Sequence, residues 1–255
     1  MKYWQAVKIS FDGIQLEEKV GIDKYTLIAL IISLILYPLL YSLDFFSSIL
    51  FPMLSDEVVV NYFGQTNRVS WWLFWLSNMF YHWIPFFFIW LAIYKNKEKW
   101  SSIGIDFGWY RKNKYWFIGL GLTLIIAALI LPNIYYGGEL PETSSAGFFG
   151  SIGSIERLFA IFISFTAAVT EEVLFRGFAF TRLKRWIPNP WFILPITLIS
   201  FLLIHGEPEN INRVLFYIVG GCAFAIPFIL MGLKRLEIII LVHFIIDVST
   251  VLAPK

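Results

Sequence analysis

Long apolar runs separated by short polar segments dominate the pattern of the chain. A helix needs about 20 mostly apolar residues to cross the hydrocarbon core of a bilayer. Seven stretches have this character: Tyr25 to Leu43, Ser70 to Tyr94, Tyr115 to Leu131, Leu158 to Phe180, Trp191 to His205, Val214 to Met231 and Leu236 to Leu252. The fifth stretch is short, and Phe45 to Leu54 could form an additional half-crossing. The pattern therefore predicts an all-α, polytopic membrane helix bundle of about seven transmembrane helices, or eight if the half-crossing is counted.

The positions of lysine and arginine between these stretches predict an orientation. Basic residues in short loops stay on the cytoplasmic side of a membrane. They cluster before the first stretch and after the second, fourth and sixth, whereas Arg68, Arg157 and Arg213 stand alone in the other connections. We therefore expect a multi-pass protein of the cell (plasma) membrane with a cytoplasmic N-terminus and an external C-terminus.

Composition agrees with a membrane protein and excludes one class of partner. Hydrophobic residues make up 58% of the chain and charged residues 15%, against roughly 25% charged in soluble domains. The basic residues form separate small clusters and no stripe that could follow a phosphate backbone, so we expect the lipid bilayer and no nucleic acid as a partner. Residues 25–255 are predicted to form a single transmembrane domain without internal repeats.

The charged segment 1–24 precedes the first apolar stretch and does not have the pattern of a cleavable signal peptide. We expect the mature protein to keep this cytoplasmic N-terminal tail. Its aromatic and lysine residues fit two alternatives equally, a short helix lying on the bilayer surface or a partly ordered tail.

Two adjacent carboxylates and an arginine interrupt the fourth apolar stretch. Ionisable groups at membrane depth cost several kcal/mol each unless they are paired or hydrated, which makes them candidates for function. Glu172 and Arg176 are four residues apart and share a helical face, whereas Glu171 points about 100° away. Glu171 thus has no partner nearby in sequence and is a candidate general base. The alternative is a structural polar network of all three charges that holds helices together.

All three histidines fall in apolar stretches. His205 closes the fifth stretch, and His243 lies in the seventh with Asp247 four residues later on the same face. With Glu171 these groups could activate a water and stabilise an oxyanion. His82 lies among aromatic residues without a carboxylate at helical spacing, so we interpret it as an interfacial or helix-packing histidine.

Three motifs in this order resemble those of the CPBP or Abi family of intramembrane proteases. That family comprises CAAX prenyl proteases and bacteriocin-processing or bacteriocin-immunity proteins, and it includes the Ras-converting enzyme. The resemblance covers roughly residues 150–255, the expected catalytic core. The motifs are Glu-Glu-x-x-x-Arg at Glu171, Glu172 and Arg176, Phe-x-x-x-His at Phe201 and His205, and His-x-x-x-Asn/Asp at His243 and Asp247.

The resemblance implies an endopeptidase that hydrolyses a peptide bond in a membrane-associated peptide or protein. The substrate would be a prenylated tail, a leader peptide or a small membrane protein. Glu171 with His205 would activate the water, and His243 with Asp247 would stabilise the oxyanion. Glu172 and Arg176 would have a structural or orienting role, and Phe175 and Phe201 are expected in the wall of the substrate pocket.

Asp247 differs from the asparagine of many family members. Asparagine donates a hydrogen bond at any pH, whereas aspartate does so only when it is protonated. An alternative role for Asp247 is to hold His243 in its protonated, donating form, as the carboxylate does in hydrolase triads.

Metal dependence has two readings. Glu171, His205 and His243 could together hold a divalent metal such as zinc with a water in the remaining position. The zinc-protease signature His-Glu-x-x-His is absent from the chain. We expect a mechanism without a cofactor and keep the metal as the alternative.

The depths of the candidate residues conflict if every helix is straight. At ~1.5 Å rise per residue, Glu171 lies near mid-depth, His243 in the cytoplasmic third and His205 toward the outer side. Either Pro195 breaks the fifth helix, or that helix continues past Gly206 and makes His205 internal.

A different class of function fits the same buried charges. They could carry protons or bind a peptide in a non-catalytic transporter or bacteriocin-immunity protein.

Overall fold

The computed structural model describes residues 23–43, 68–107, 121, 154–205 and 211–252, and within these ranges the chain is helical, with no strand. The described residues form six long helices: α1 Lys24–Ser42, α2 Arg68–Lys95, α3 Ser154–Leu183, α4 Pro190–Leu203, α5 Ile211–Leu230 and α6 Leu236–Leu252. A 3₁₀ turn, Trp100–Ile103, follows α2. Each long helix coincides with one of the predicted apolar stretches. The third stretch, Tyr115 to Leu131, lies outside the described residues except for Gly121, as do the half-crossing Phe45 to Leu54 and residues 1–22.

Three of these helices are long and apolar enough to cross a membrane, namely α1, α3 and the part of α2 from Trp75 to Lys95. Helix α4 and the Val214–Leu230 part of α5 are shorter apolar helices. Large apolar side chains also cover the outside of the bundle, as at Phe80, which is 63% exposed, and Leu230, which is 73% exposed. An all-helical protein with such a surface is an integral membrane protein, as predicted.

Helix α3 is the centre of the bundle. Its segment Glu172–Phe178 is π-helical, and every residue in the segment is buried. This segment packs against α1, α2, α4, α5 and α6. Isolated π-helical turns are rare and occur frequently at functional sites. The charged motif therefore lies where all the described long helices meet.

Polar contacts join the ends of several helices at one face of the bundle. Glu98, after α2, accepts hydrogen bonds from Arg182 of α3 and from Arg185, the latter at 3.1 Å. Arg235, just before α6, lies 3.4 Å from the Asp106 carboxylate. These connections contain the basic clusters from which a cytoplasmic face is predicted, and the fold gathers them on the same side.

The opposite face contains the N-terminal ends of α2 and α3. There the indole N–H of Trp72 donates a hydrogen bond to the buried carboxylate of Glu156, at 3.1 Å. Helices α2 and α3 therefore run parallel. Phe107 follows the C-terminal end of α2, and Ser154 begins α3. These two residues flank the predicted third stretch, and they lie toward opposite faces of the bundle.

Candidate active site

Glu172 joins α3 to α6. One of its carboxylate oxygens, Oε1, lies 2.8 Å from Nδ1 of His243 and accepts a hydrogen bond from Arg176 at 3.1 Å. Glu172 is fully buried, and Arg176 is 2% exposed. The ion pair expected from the four-residue spacing is thus present, and a histidine from another helix shares the same oxygen. This carboxylate is held from two sides and is poorly placed to accept a proton from water.

Arg176 extends the network to α4 and α5. Its guanidinium donates a hydrogen bond to the carbonyl oxygen of Gly221 at 3.2 Å. The guanidinium carbon also lies 4.4 Å from the ring centroid of Phe201 and 5.6 Å from that of Phe224. Cation–π contacts of this kind are strongest when they are desolvated, as here.

His243 lies between two carboxylates. Its second ring nitrogen, Nε2, is 3.5 Å from Oδ2 of Asp247, and the ring of Phe224 stacks on the imidazole with centroids 4.6 Å apart. An imidazole donates from both nitrogens only when it is protonated. A carboxylate beside each nitrogen favours this protonated form, which is the arrangement that an orienting role for Asp247 requires.

Glu171 has a different environment from Glu172. Its side chain is 7% exposed, and its buried oxygen Oε2 has no hydrogen-bond partner among the described residues. The carboxylate nevertheless interacts electrostatically with His243 and Asp247. A buried carboxylate oxygen without a partner is costly unless a water or ligand completes its hydrogen bonding. Glu172 also has a buried oxygen without a partner, Oε2, but its Oε1 is shared by Arg176 and His243 and its side chain is fully buried. The carboxylate of Glu171 makes no hydrogen bond among the described residues, so Glu171 is the better placed of the two to bind a water.

Straight helices were expected to place the charged motif of α3 and His243 of α6 at different depths. This expectation is wrong, since Glu172 and His243 are in contact. The expectation used the rise of an α-helix, whereas Glu172–Phe178 is π-helical and fits more residues into each turn. The π-helical segment thus changes the relation between sequence position and depth just where the charged motif lies.

His205 lies in the turn that follows α4. Its Nδ1 is 2.8 Å from the carbonyl oxygen of Phe201. Because a carbonyl can only accept, Nδ1 carries the hydrogen, and in the neutral ring Nε2 is an acceptor. The imidazole packs against the rings of Phe201 and Tyr217, with centroids 4.5 and 4.2 Å away. Since Phe201 also contacts Arg176, a single aromatic ring separates His205 from the charged network.

Both alternatives for the register of α4 are wrong. The helix continues through Pro195, because the one hydrogen bond that this proline removes does not end it. The helix then ends at Leu203, and His205 follows in a turn. Gly206 lies outside the described residues.

His82 is the group near the site that sequence reasoning discounted. It is 7% exposed and packs among aromatic rings, which agrees with a helix-packing histidine. Its Nδ1 lies 3.3 Å from the hydroxyl of Tyr37 in α1, and the imidazole interacts electrostatically with both His205 and His243. No sequence signal marks this placement, because Tyr37 is 45 residues away and His205 and His243 come from other segments of the chain.

The donors proposed for a metal are not arranged as a ligand set. Across residues 23–43, 68–107, 154–205 and 211–252, no three His, Cys, Asp or Glu side chains are placed to hold a metal ion. His243 has carboxylate oxygens beside both ring nitrogens. The set Glu171, His205 and His243 therefore does not fit a bound zinc ion in this structure.

Phe175 and Phe201, expected to line the substrate pocket, pack edge to face with centroids 5.7 Å apart. Phe175 is fully buried and Phe201 is 4% exposed. Phe201 contacts the guanidinium of Arg176 and the imidazole of His205, and Phe175 packs against Phe201.

The helical fold and this site define a polytopic membrane protein with a cluster of carboxylates and imidazoles buried between its helices. Residues 153–249 match the family model described as type II CAAX prenyl endopeptidase, Rce1-like. This match covers 97 of the 255 residues and confirms the resemblance predicted from the three motifs, all of which lie in the matched region. Comparison with curated proteins and with solved structures found no match.

Proposed function

We propose that the protein is an intramembrane endopeptidase in which Glu171 and His205 activate a water for attack on a peptide bond. The observation that carries this proposal is the buried carboxylate of Glu171, which makes no hydrogen bond among the described residues, whereas Oε1 of Glu172 is shared by Arg176 and His243. The match of residues 153–249 to a protease family model supports this class of reaction.

The reaction uses the two carboxylates of the motif differently. Glu171 accepts a proton from the water, and Nε2 of His205 is a second acceptor that orients the same water. The resulting hydroxide adds to the scissile carbonyl. The proton held by Glu171 then passes to the leaving amine, so that the carboxylate is regenerated and both products are neutral at the cleaved bond.

His243 and Asp247 stabilise the charge that develops on the carbonyl oxygen. Asp247 keeps the imidazole of His243 protonated, and the positive ring favours the oxyanion in a medium of low dielectric constant. Glu172 and Arg176 fix the position of His243 and of the helix that carries Glu171. These separate roles for Glu171 and Glu172 account for the two adjacent glutamates in the motif.

The substrate class follows from the family and from the location of the site. The family model is described as a type II CAAX prenyl endopeptidase. A prenylated peptide tail is therefore the first substrate to test, followed by leader peptides and small membrane proteins. No cofactor is assigned to the reaction.

The experiment is mass spectrometry of membrane peptides from cells that produce the wild-type protein, Glu171→Ala or His205→Ala at equal folded yield. Peptides cleaved only in the presence of the wild-type protein would identify the cut site together with the activity. Glu156→Gln is a matched control, because Glu156 is also buried on α3, about 22 Å from Glu171 along the helix. We expect the control to cleave normally. Retained cleavage in both site variants would reject the enzyme in favour of a transporter or immunity protein.

A further inference from the structure

Phe224 of α5 lies against the charged network, although none of the three motifs includes it. Its ring stacks on the imidazole of His243, with centroids 4.6 Å apart and an angle of 15° between the planes. The guanidinium carbon of Arg176 lies 5.6 Å from the same ring centroid, and the side chain of Phe224 is 7% exposed. One buried aromatic ring thus contacts both of the groups that share an oxygen of Glu172.

Hydrogen bonding alone does not fix the plane of the His243 ring. Nδ1 is 2.8 Å from Oε1 of Glu172, whereas Nε2 is 3.5 Å from Oδ2 of Asp247. N–H···O hydrogen bonds in proteins usually measure about 2.7 to 3.2 Å, so the contact at Nε2 is a weak restraint. The torsion that sets the plane of a histidine ring also has a broad minimum. One short hydrogen bond therefore fixes the position of Nδ1 and leaves the ring able to tilt about it.

The stacked ring of Phe224 supplies the second restraint. Two nearly parallel rings at this separation are in contact, so a tilt of the imidazole would push it into the phenyl ring. The contact also favours a positive charge on His243, because the face of an aromatic ring carries a negative potential. A leucine at this position would keep an apolar side chain but would lack both the flat surface and the attraction for the charge.

The plane of His243 matters to the proposed reaction. Because Glu172 occupies Nδ1, Nε2 is the nitrogen that can donate to an oxyanion. A donor stabilises the transition state only if it points at the place where the charge develops, and a misplacement of about 1 Å is costly. A ring that tilts about Nδ1 moves Nε2 with it.

We propose that Phe224 is a positioning residue for oxyanion stabilisation, because its ring holds the imidazole of His243 in the plane from which Nε2 donates to the oxyanion. This inference rests on the proposed function and deepens it, since it gives α5, which carries none of the three motifs, a part in the reaction. Phe224 acts through His243, and its contribution is made in the transition state. A contribution of this kind changes kcat and leaves KM unchanged.

The test uses purified protein and a fluorescent peptide that ends in farnesyl-cysteine, two aliphatic residues and a free C-terminal residue. Phe224→Leu and Phe224→Met remove the ring, and Phe224→Tyr keeps it. Phe228→Leu is the matched control, because Phe228 is also buried on α5 and its ring packs against Phe180, with centroids 6.3 Å apart. Inhibition is measured with a phosphinate analogue of the peptide, in which an anionic oxygen takes the place of the oxyanion.

We expect Phe224→Leu and Phe224→Met to lower kcat about tenfold and to raise the Ki of the phosphinate by a similar factor, with KM within about threefold of wild type. Phe224→Tyr should recover most of kcat, and Phe228→Leu should match the wild type in all three constants. A merely structural role for Phe224 would lower the thermal stability of both leucine variants and leave the ratio of Ki to KM unchanged.

A second measurement follows the stacking directly and does not depend on cleavage. The ring signals of the histidines are recorded by NMR in detergent, and those of His243 are identified by their loss in His243→Gln. An aromatic ring shields protons that lie over its face, so Phe224→Leu should move the His243 signals. Phe228→Leu should leave them in place.

Three results would overturn the inference: wild-type kcat and Ki in a folded Phe224→Leu or Phe224→Met protein, an equal fall of kcat in Phe228→Leu, or His243 signals that do not change when the ring of Phe224 is removed. Failure of the proposed function looks different. The wild-type protein would then neither cleave the peptide nor bind the phosphinate, although the His243 signals would still respond to Phe224→Leu.

Discussion

Glu172 and Glu171 are neighbours in sequence but differ in their hydrogen bonding. Each has one buried oxygen, Oε2, without a described partner, but Oε1 of Glu172 is shared by Arg176 and His243, whereas the carboxylate of Glu171 makes no hydrogen bond among the described residues. Helical spacing alone predicts the pair between Glu172 and Arg176 and leaves Glu171 unpaired. The contact with His243 could not be predicted from spacing, because it joins helices 71 residues apart. Its consequence is that Arg176 and His243 both depend on Glu172.

Arg176→Ala should destabilise the protein strongly. The substitution leaves Glu172 without its arginine in a buried site, which costs about 3 to 5 kcal/mol. It also removes the hydrogen bond to Gly221. We expect lower folded yield and a lower free energy of unfolding in detergent, together with lost cleavage.

Arg185→Ala is the matched control. Arg185 pairs with Glu98 at 3.1 Å but is 35% exposed, and exposed pairs contribute about 0 to 1 kcal/mol. An Arg176→Ala protein as stable as this control yet inactive would place Arg176 in the chemistry.

Zinc dependence is tested by chelation. Because the described donors do not form a ligand set, we expect activity of the purified protein to survive a strong chelator within about twofold. The measurement is the cleavage rate before chelation, after chelation and after addition of zinc. Loss of cleavage that zinc restores would show that the metal alternative is right.

At the scale of helices, the lengths of the apolar stretches predicted where the helices lie, but they did not predict the geometry within each helix. Six apolar stretches are helices within a few residues of their predicted bounds, because burial in lipid requires length and low charge. The π-helical segment Glu172–Phe178 left no mark in the hydrophobic pattern. The predicted end of α4 was two residues late, because Ile204 extends the apolar run from Leu203 to His205. Lengths are dictated by the bilayer, whereas local geometry depends on contacts with other helices.

Close packing of α3 predicts a difference between two glycines. A Cβ on Gly177 would lie 2.5 Å from a methyl carbon of Leu236 and 3.0 Å from the carbonyl oxygen of Ile103, whereas one on Gly220 would meet nothing within 4 Å. We expect Gly177→Ala to lower the free energy of unfolding by about 1 to 3 kcal/mol. Gly220→Ala, the control in α5, should be neutral or stabilising by up to about 1 kcal/mol. Equal stabilities in thermal unfolding would contradict the packing described for α3.

At the scale of the whole molecule, the positions of the basic residues and the fold indicate the same two faces of the bundle. The ends of α2 and α3 and the start of α6 meet where the basic connections lie, with Glu98 and Asp106 paired to arginines. This is the face expected in the cytoplasm from the positive-inside rule. The sequence predicted on which side of the membrane each connection lies. It did not predict the ion pairs between the connections, because each pair joins segments that are distant in sequence.

The orientation is checked with fusion reporters. A protein that fluoresces only in the cytoplasm should be dark when attached after Lys255 and bright when attached before Met1. A bright reporter after Lys255 would reverse the predicted side of the C-terminus.

The most direct test of the central claim is the cleavage rate of Glu171→Gln in purified, folded protein. Glutamine keeps the size of the side chain and removes the base, so kcat on the farnesylated peptide should fall about 10²- to 10⁴-fold, while Glu156→Gln stays near the wild-type value. A Glu171→Gln protein that cleaves as fast as wild type would contradict the assignment of Glu171 as the group that activates water.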